Sequence, residues 1–298
     1  MTGASRAQRV LYRAAPDVES GLWIVSWAED IIGGAKRHEV WETAMGNQID
    51  FNCDMGESFG MYKMGYDEEV IKYITSANIA CGFHAGDPNW MRETVRLAEE
   101  RGVGIGAHPS FPDLAGFGRR NMVVSPEEAK NDVIYQMGAL QAFTKAGKLQ
   151  HVKPHGAMYN MAVDDGELAR AICEAVLEVD ESAALLALAG SKWIAIAEDM
   201  GLRVGREIFA DRALNPDGTL VARSKPGSVI HDTDEVVERS LQMVRDGKAQ
   251  AINGDVIEVQ ADSLCLHGDT PGAVEMARAL KQALEEEGVE IKPLRELV

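Results

Sequence analysis

The chain has 298 residues, of which 46% are hydrophobic and 26% are charged, a balance that suits one large globular domain or two small ones. Its 47 acidic residues outnumber 30 lysines and arginines, which gives a formal net charge of −17. That charge repels phosphate backbones and anionic lipids, and so argues against nucleic acids and membrane surfaces as partners. No apolar run approaches the roughly 20 residues that span a bilayer.

The four cysteines are widely spaced, and the sequence contains no C-x-x-C pair: Cys53, Cys81, Cys173 and Cys265. This spacing indicates reduced thiols in a cytoplasmic protein, although an even number also permits disulfide bridges.

The first 44 residues differ from the rest because they show neither helical nor alternating periodicity, yet they hold Trp23, Trp27 and Trp41 of the five tryptophans. We predict that residues 1–44 are an N-terminal extension and that residues 45–298 form one catalytic domain. The extension is interpreted as a poorly ordered arm or as sequence ahead of a true start at Met45. The alternative is an arm whose tryptophans dock on the domain or on a partner.

From residue 48 onward, short apolar runs alternate with amphipathic segments. The runs have the length of strands that are buried on both faces of a parallel sheet. The predicted strands are Ile49–Cys53, Ala77–Cys81, Val103–Ala107, Leu149–Lys153, Ala184–Leu188, Leu202–Glu207 and Leu264–His267.

The segments between these runs have helical periodicity and clear start signals. Apolar residues recur at i, i+4 and i+7 over residues 91–98, 133–140 and 273–280. Three predicted helix starts place a capping side chain before a proline: Asp87-Pro88, Ser125-Pro126 and Thr270-Pro271.

Repeated strand–helix units predict a parallel sheet with helical crossovers, which is either an open doubly wound sheet or a closed barrel. The barrel fits better because polar residues follow the strand ends along the chain, and a barrel brings those ends to one mouth. We therefore predict an α/β fold, namely a TIM-like (β/α) barrel of seven parallel strands.

Titratable residues at the carboxyl ends of the strands predict a catalytic site at this mouth. They are Asp54, Glu57, His84, Asp87, His108, Lys153, His155, Asp211, Arg212, His267 and Asp269. Asp87 and Asp269 are equally compatible with helix capping. His151, which alternates with Val152, is predicted to face the helical layer instead.

These residue types suit hydrolysis of an acyl or amide bond, because carboxylates and imidazoles act as general bases and acids near neutral pH. Lys153 could hold an anionic group or stabilise an oxyanion. Asp and His are also metal ligands, but no H-E-x-x-H or H-x-H pair occurs, so the need for a metal is left open. No P-loop or dinucleotide fingerprint is present.

Two basic clusters stand out against the acidic background. Arg119 and Arg120 follow the third strand, while Arg212 and Arg223 belong to a long loop after the sixth. Long loops at a barrel mouth commonly bind ligands, and arginine suits carboxylate or phosphate. We predict that these arginines bind the substrate, the alternative being salt bridges to the acidic surface.

At these strand ends the sequence closely resembles the LamB/YcsF family, which supplies one subunit of ATP-dependent 5-oxoprolinase. The likeness covers about residues 48–290 and leaves residues 1–44 outside it. It rests on eight motifs: DFNCDMGESFG at 50–60, SANIACGFHAGD at 76–87, GAHP at 106–109, GFGRRN at 116–121, HVKPHGAMY at 151–159, FADR at 209–212, VQAD at 259–262 and HGDTPG at 267–272.

The resemblance implies a seven-stranded barrel of the glycoside hydrolase/deacetylase type. It also implies opening of the 5-oxoproline (pyroglutamate) lactam to L-glutamate, coupled to hydrolysis of ATP, with Mg²⁺, to ADP and phosphate. The implied partners are separately encoded B and C subunits, with this family as the A component. Phosphorylation of the amide oxygen would explain the coupling, since a five-membered lactam is a poor electrophile whose closure is favourable.

The motif positions and the basic clusters together give two groups of site residues. The expected catalytic residues are Asp54, Glu57, His84, His108, Lys153, His155, Asp211 and His267. The expected substrate- or phosphate-binding residues are Asp87, Arg119, Arg120, Arg212, Arg223 and Asp269. We expect Lys153 and Arg212 to hold phosphate or carboxylate, while His84, His108 or His155 activates water with Asp54 or Glu57.

Two other functions stay open at this point. The chain could be a metal-dependent deacetylase or amidohydrolase acting on carbohydrate acetamides, or a non-catalytic subunit that binds substrate for a partner. The lack of a compact metal motif and the presence of arginine-rich loops argue against a metal-dependent deacetylase. The many carboxylates and imidazoles at the barrel mouth argue against a non-catalytic subunit.

Overall fold

The computed structural model describes residues 48–298, so the predictions for the N-terminal extension lie outside the described residues. The strands are β1 (Gln48–Met55), β2 (Ser76–Ala80), β3 (Gly104–His108), β4 (His151–Val152), β5 (Ala184–Leu188), β6 (Val204–Phe209), β7 (Lys248–Gln250), β8 (Val256–Glu258), β9 (Ser263–His267) and β10 (Glu290–Ile291). The helices are α1 (Asp67–Val70), α2 (Pro88–Arg101), α3 (Pro126–Gln141), α4 (Gly156–Ala162), α5 (Gly166–Asp180), α6 (Lys192–Asp199), α7 (Thr233–Asp246) and α8 (Ala273–Glu286).

Seven parallel strands close into a barrel in the order β1-β2-β3-β4-β5-β6-β9, and β9 pairs back on β1. This confirms the predicted fold, and each predicted strand overlaps an observed one. Three short strands were not predicted from the sequence: β10, which extends the sheet beside the start of β1, and the antiparallel pair β7–β8. Among residues 48–298, no helix is both long and apolar enough to cross a membrane.

The two faces of β1 separate the apolar core from a polar barrel interior. Ile49 and Phe51 are fully buried in the hydrophobic cluster between barrel and helices. Asp50 and Asn52 are also fully buried, but they point inward and bond to other strands. Asn52, for example, donates to Ser263 Oγ of β9 at 2.7 Å. Strand alternation therefore gives the barrel a hydrogen-bonded interior.

His151 belongs to this interior, so the prediction that it faces the helical layer is wrong. Its Nε2 lies 2.6 Å from Asn78 Oδ1, and its ring occupies the space beside Gly106, where a Cβ would otherwise stand. Asn78 in turn donates to Asn52 and Asp54. Burial lowers the pKa of His151 to about 3, so the ring is neutral.

Two of the three predicted helix starts are confirmed. The Asp87 carboxylate accepts from the backbone of Asn89 and Trp90 at the start of α2, and Ser125 forms a capping box at the start of α3. The third is wrong, because α8 begins at Ala273, after Gly272. The Thr270 hydroxyl donates to Asp211, and the N-cap position is occupied by Gly272, which has no side chain to cap the helix.

A pair of glycine substitutions tests the packing of the barrel interior. Gly106→Ala should destabilise the chain by about 1–3 kcal/mol, because its Cβ would overlap the buried His151 ring. Gly138→Ala in α3 should stabilise it by about 0.5–1 kcal/mol, because a Cβ there meets no atom within 4 Å and alanine favours helix. Urea unfolding of both variants measures these changes, and equal effects would contradict the packing described here.

Asp50 at the base of the barrel makes stability depend on pH. Burial raises the pKa of Asp50 to about 6, although hydrogen bonds from Ser263, Ser76 and Thr75 act to lower it. An unfolded aspartate titrates near pH 3.9, so Asp50 should cost the folded state about 3 kcal/mol as pH rises from about 4 to about 7. Asp50→Asn should remove this loss, as measured by urea unfolding across that range.

The control is Asp246→Asn at the exposed end of α7, which should keep the pH dependence of the unsubstituted chain. If the free energy of unfolding of Asp50→Asn changed with pH as much as that of the unsubstituted chain, the predicted titration of Asp50 would be contradicted.

Candidate active site

The carboxyl ends of the strands open into a cavity of about 410 Å³. Eight of the residues predicted from sequence line it: Asp54, His108, Arg119, Lys153, His155, Arg212, Arg223 and His267. The carboxylate, the imidazoles and the lysine come from strand ends, while the arginines come from loops. The barrel topology therefore brings together residues that are far apart in the sequence.

A buried ion-pair network lies at the floor of the cavity. Lys153 Nζ is 2.9 Å from Asp54 Oδ1, 3.0 Å from Glu207 Oε1 and 3.0 Å from Cys265 Sγ. Burial alone would lower the pKa of Lys153, but Asp54 and the groups beside it raise it well above its usual range. Against the effect of burial, His108 and Lys153 hold the pKa of Asp54 well below its usual range. Asp54 is therefore a carboxylate, and Lys153 is an ammonium with two anionic partners.

His267 is oriented by Asp211, which lies behind it. Both Asp211 oxygens are within 2.9 Å of His267 Nδ1, so this nitrogen carries the proton and donates it. The interaction with His267 lowers the pKa of Asp211 even though burial opposes the shift. His267 Nε2 is left on the cavity side, 3.9 Å from Asp54 Oδ2. The pair has the geometry of a general base and the residue that fixes its tautomer.

A second group of buried side chains, which we call the histidine cluster, consists of Glu57, His84, His108 and His155. His84 Nε2 lies 3.2 Å from Glu57 Oε1, and the His84 and His155 rings stack with centroids 3.8 Å apart. Burial lowers the pKa of both His84 and His155 and raises that of Glu57, in each case well away from the usual range. One atom from each of the four residues lies within 4.8 Å of the others, close enough to hold a metal ion.

Three arginines give the cavity a positive wall. Arg212 donates through Nε and Nη2 to backbone carbonyls of Ser228 and Val221, which fixes its orientation. Burial is the main cause that lowers the pKa of Arg212 to about 10, and repulsion from Arg223 is the second. Arg119 pairs with Asp269 at 3.3 Å, whereas Arg223 forms no ion pair within residues 48–298. Cations held so close together favour an anionic ligand.

The structure does not bring every predicted site residue to the cavity wall. Glu57, His84 and Asp211 lie behind the residues that line it, and Asp269 is paired with Arg119. Asp87 caps α2 and also accepts from the Gly60 backbone. Arg120 pairs with Asp113, and its side chain is 68% exposed. Asp87 and Arg120 are therefore committed to structure outside the cavity.

Sequence reasoning missed several polar residues beneath the cavity, among them Glu207, Cys265 and Tyr159. Tyr159 donates to Glu207 Oε2 at 2.8 Å, and Cys265 contacts Lys153. Strand parity is a signal that could have found two of them. Glu207 shares a face of β6 with Phe209, and Cys265 shares a face of β9 with His267.

Comparison with known proteins identifies the family to which this chain belongs. The LamB/YcsF family model matches residues 49–298. A protein of Thermococcus onnurineus, named as the A subunit of 5-oxoprolinase, is 58% identical over 84% of this chain and 99% of its own length. One of the same name from Clostridium beijerinckii is 56% identical over 84% of this chain and 99% of its own length.

A solved structure has the same fold as the described residues. The lactam utilization protein of Thermus thermophilus is 50% identical, covers 82% of this chain and 99% of its own, and superposes with a TM-score of 0.78. Sequence and fold therefore agree along almost the whole barrel. The chain belongs to the LamB/YcsF family.

Proposed function

We propose that this chain is the A component of a 5-oxoprolinase that opens the lactam of 5-oxoproline to L-glutamate, with ATP hydrolysed to ADP and phosphate. The observation that carries the proposal is the juxtaposition, in one cavity, of an oriented His–Asp pair and a wall of three arginines. The names of the relatives, which refer to 5-oxoprolinase and to lactam utilization, support the same substrate class.

The arginine wall would hold the anionic groups of the substrate. 5-Oxoproline carries a carboxylate, and a phosphorylated amide oxygen would add further negative charge. Arg119, Arg212 and Arg223 offer planar donors that match both groups. Lys153 is a weaker candidate for this role than the sequence indicated, because Asp54 and Glu207 already neutralise its ammonium.

The oriented pair would activate the attacking water. His267 Nε2 would take a proton from water positioned near Asp54, while Asp211 keeps the His267 proton on Nδ1. Asp54 stays ionised and stabilises the imidazolium that forms. Attack on the phosphorylated lactam carbon then breaks the C–N bond, and the proton held on His267 passes to the leaving nitrogen. The product of this step is a γ-glutamyl phosphate, and a second water releases its phosphate to give glutamate. The proton transfers use groups that lie in or directly behind the cavity.

ATP would supply the phosphoryl group that activates the amide oxygen and makes ring opening favourable. Mg²⁺ would accompany the nucleotide, and B and C subunits would complete the enzyme. The arginine wall fits a phosphate group. The sequence has no P-loop or dinucleotide fingerprint, so the proposal includes no nucleotide pocket within the barrel.

The reaction is tested by measuring glutamate released from 5-oxoproline, with and without ATP, for this chain alone and with its partner subunits. We expect release only from the complex with ATP. In that complex His267→Ala should lower kcat by about 10²–10⁴-fold, the usual loss of a general base. The matched control is His231→Ala, because His231 is exposed and outside the cavity.

Two results would contradict this assignment. Retention of full activity by His267→Ala would remove His267 from the mechanism. Deacetylation of a carbohydrate acetamide by the chain alone, without ATP, would favour the deacetylase alternative, whereas glutamate release by the B and C subunits without this chain would favour a non-catalytic role.

Arg223 provides a separate test of anion binding. Arg223→Met should raise the thermal unfolding temperature of the substrate-free chain, because burial and repulsion from Arg119 already lower the pKa of Arg223. The same variant should raise KM for 5-oxoproline about tenfold or more in the complex, since it removes one charged hydrogen-bond donor. Arg120→Met, outside the cavity, should leave KM unchanged. A lower unfolding temperature with an unchanged KM would contradict a ligand-binding role.

A further inference from the structure

A loop at the barrel mouth, between β1 and α1, presents a group of apolar side chains to solvent. We propose that residues 59–66, which we call the apolar loop, are the docking site of a partner subunit in the 5-oxoprolinase complex. The matching surface of the partner is an apolar recess with basic groups at its border. This inference rests on the proposed function, because that reaction needs a second protein at the mouth.

The apolar loop holds side chains of the kinds that proteins usually bury. Half of the ten large hydrophobic residues exposed within residues 48–298 lie in it: Phe59, Met61, Tyr62, Met64 and Tyr66. Met61 is fully exposed, and Tyr62 is 77% exposed. Because one aromatic side chain offers roughly 150–250 Å², the five residues together present roughly 500 Å². A stable protein interface buries about 800 Å² on each partner, so the loop alone supplies over half of that area.

Hydrogen bonds hold the apolar loop in one shape. Phe59 and Tyr62 each donate to the backbone carbonyl of the other at 2.9 Å. The Asp87 carboxylate accepts from the Gly60 backbone at 2.7 Å, and the Trp90 indole donates to the Gly60 carbonyl at 3.2 Å. A loop that is already ordered loses little conformational entropy on binding, and so its exposed side chains suit a docking site.

The apolar loop borders the mouth of the cavity. It follows β1, whose Asp54 lines the cavity. Near its other end, a Cβ on Gly65 would lie 3.6 Å from the carbonyl oxygen of Gly268. Gly268 directly follows His267, which also lines the cavity. A protein bound to the apolar loop is therefore placed beside the proposed general base.

The chemistry of the reaction explains why a protein should dock at this position. The proposed function includes no nucleotide pocket within the barrel, so the phosphoryl group has to reach the mouth from a second protein. If bulk water attacked the phosphorus of the phosphorylated lactam, the P–O bond would break and the lactam would be regenerated with loss of phosphate. A subunit seated on the apolar loop can deliver the phosphoryl group and exclude this water.

Charge favours a different protein over a second copy of this chain. The formal net charge of −17 makes two copies repel each other. Residues 59–70 are acidic as well, since they carry Lys63 against Asp67, Glu68 and Glu69, of which both glutamates are exposed. A partner with basic groups around an apolar recess is therefore complementary to the apolar loop and to the acidic residues that follow it.

The first measurement is the affinity of the full chain for purified B and C subunits, determined by isothermal titration calorimetry. Met61→Asp should raise the dissociation constant at least tenfold, because a carboxylate in an apolar recess loses its hydration. Its unfolding temperature should not change, since Met61 is fully exposed. Val256→Asp, which replaces an exposed apolar residue outside the loop, should bind as the unsubstituted chain does.

Glutamate release separates docking from catalysis. In Met61→Asp, the concentration of partner subunits that gives half-maximal release should rise in proportion to the dissociation constant. The rate at saturating partner should stay unchanged, whereas His267→Ala should lower that rate. A lower rate for Met61→Asp at saturation, with unchanged affinity, would contradict a docking role.

Crosslinking identifies what occupies the apolar loop. All four natural cysteines are buried, so Met61→Cys provides one accessible thiol for attachment of a photoreactive benzophenone. Irradiation of the mixture with the B and C subunits should join position 61 to one of them. A crosslink to a second copy of the chain, or to residues 1–44, would overturn the proposal.

The docking surface and the reaction can fail separately. The surface is overturned if the unsubstituted chain does not bind the B and C subunits, or if Met61→Asp binds them equally well. Glutamate release by a complex that accepts Met61→Asp at full affinity would support the reaction and refute the surface. Weakened binding of Met61→Asp to subunits that release no glutamate with the unsubstituted chain would support the surface and refute the reaction.

Discussion

The buried ammonium of Lys153 is the interaction on which the rest of the site depends. A lone charge in a barrel interior would be strongly destabilising, and this one is tolerated because Asp54 and Glu207 contact it directly. The same contacts keep Asp54 ionised and orient it toward His267 and His108. Removing either carboxylate would leave an unbalanced charge, so the floor of the cavity behaves as one unit.

Much of the fold could be predicted from sequence because burial leaves a regular signal. Runs such as 184–188 are apolar on both faces, and their length and spacing predict strands joined by helices. The mouth of the barrel was predictable for the same reason, since topology alone brings Asp54 and His267 to one end. Short strands such as β10 could not be predicted, because its two residues are too few to show periodicity.

The details of the site were less predictable because they depend on loops and on strand parity. Arg119 and Arg120 are adjacent in sequence, yet one lines the cavity and the other pairs with Asp113. No periodic pattern in the sequence distinguishes the two arginines, because the directions of their side chains are set by tertiary packing. His151 is a different case. It lies two residues before Lys153 on the same strand face, so parity could have placed it inside the barrel.

The polar interior has a consequence for how this protein can change over time. Most of the apolar core forms a sleeve between the strands and the helices, and a smaller apolar cluster consists of Ala184, Leu186 and Leu294. Residues such as Phe51 pack in this sleeve, while Asn52 beside it carries only interior bonding. Packing against the helices and bonding inside the barrel therefore depend on alternate positions of the same strand. Substitutions at the inward-facing positions can therefore change the chemistry of the cavity while the sleeve around it keeps its packing.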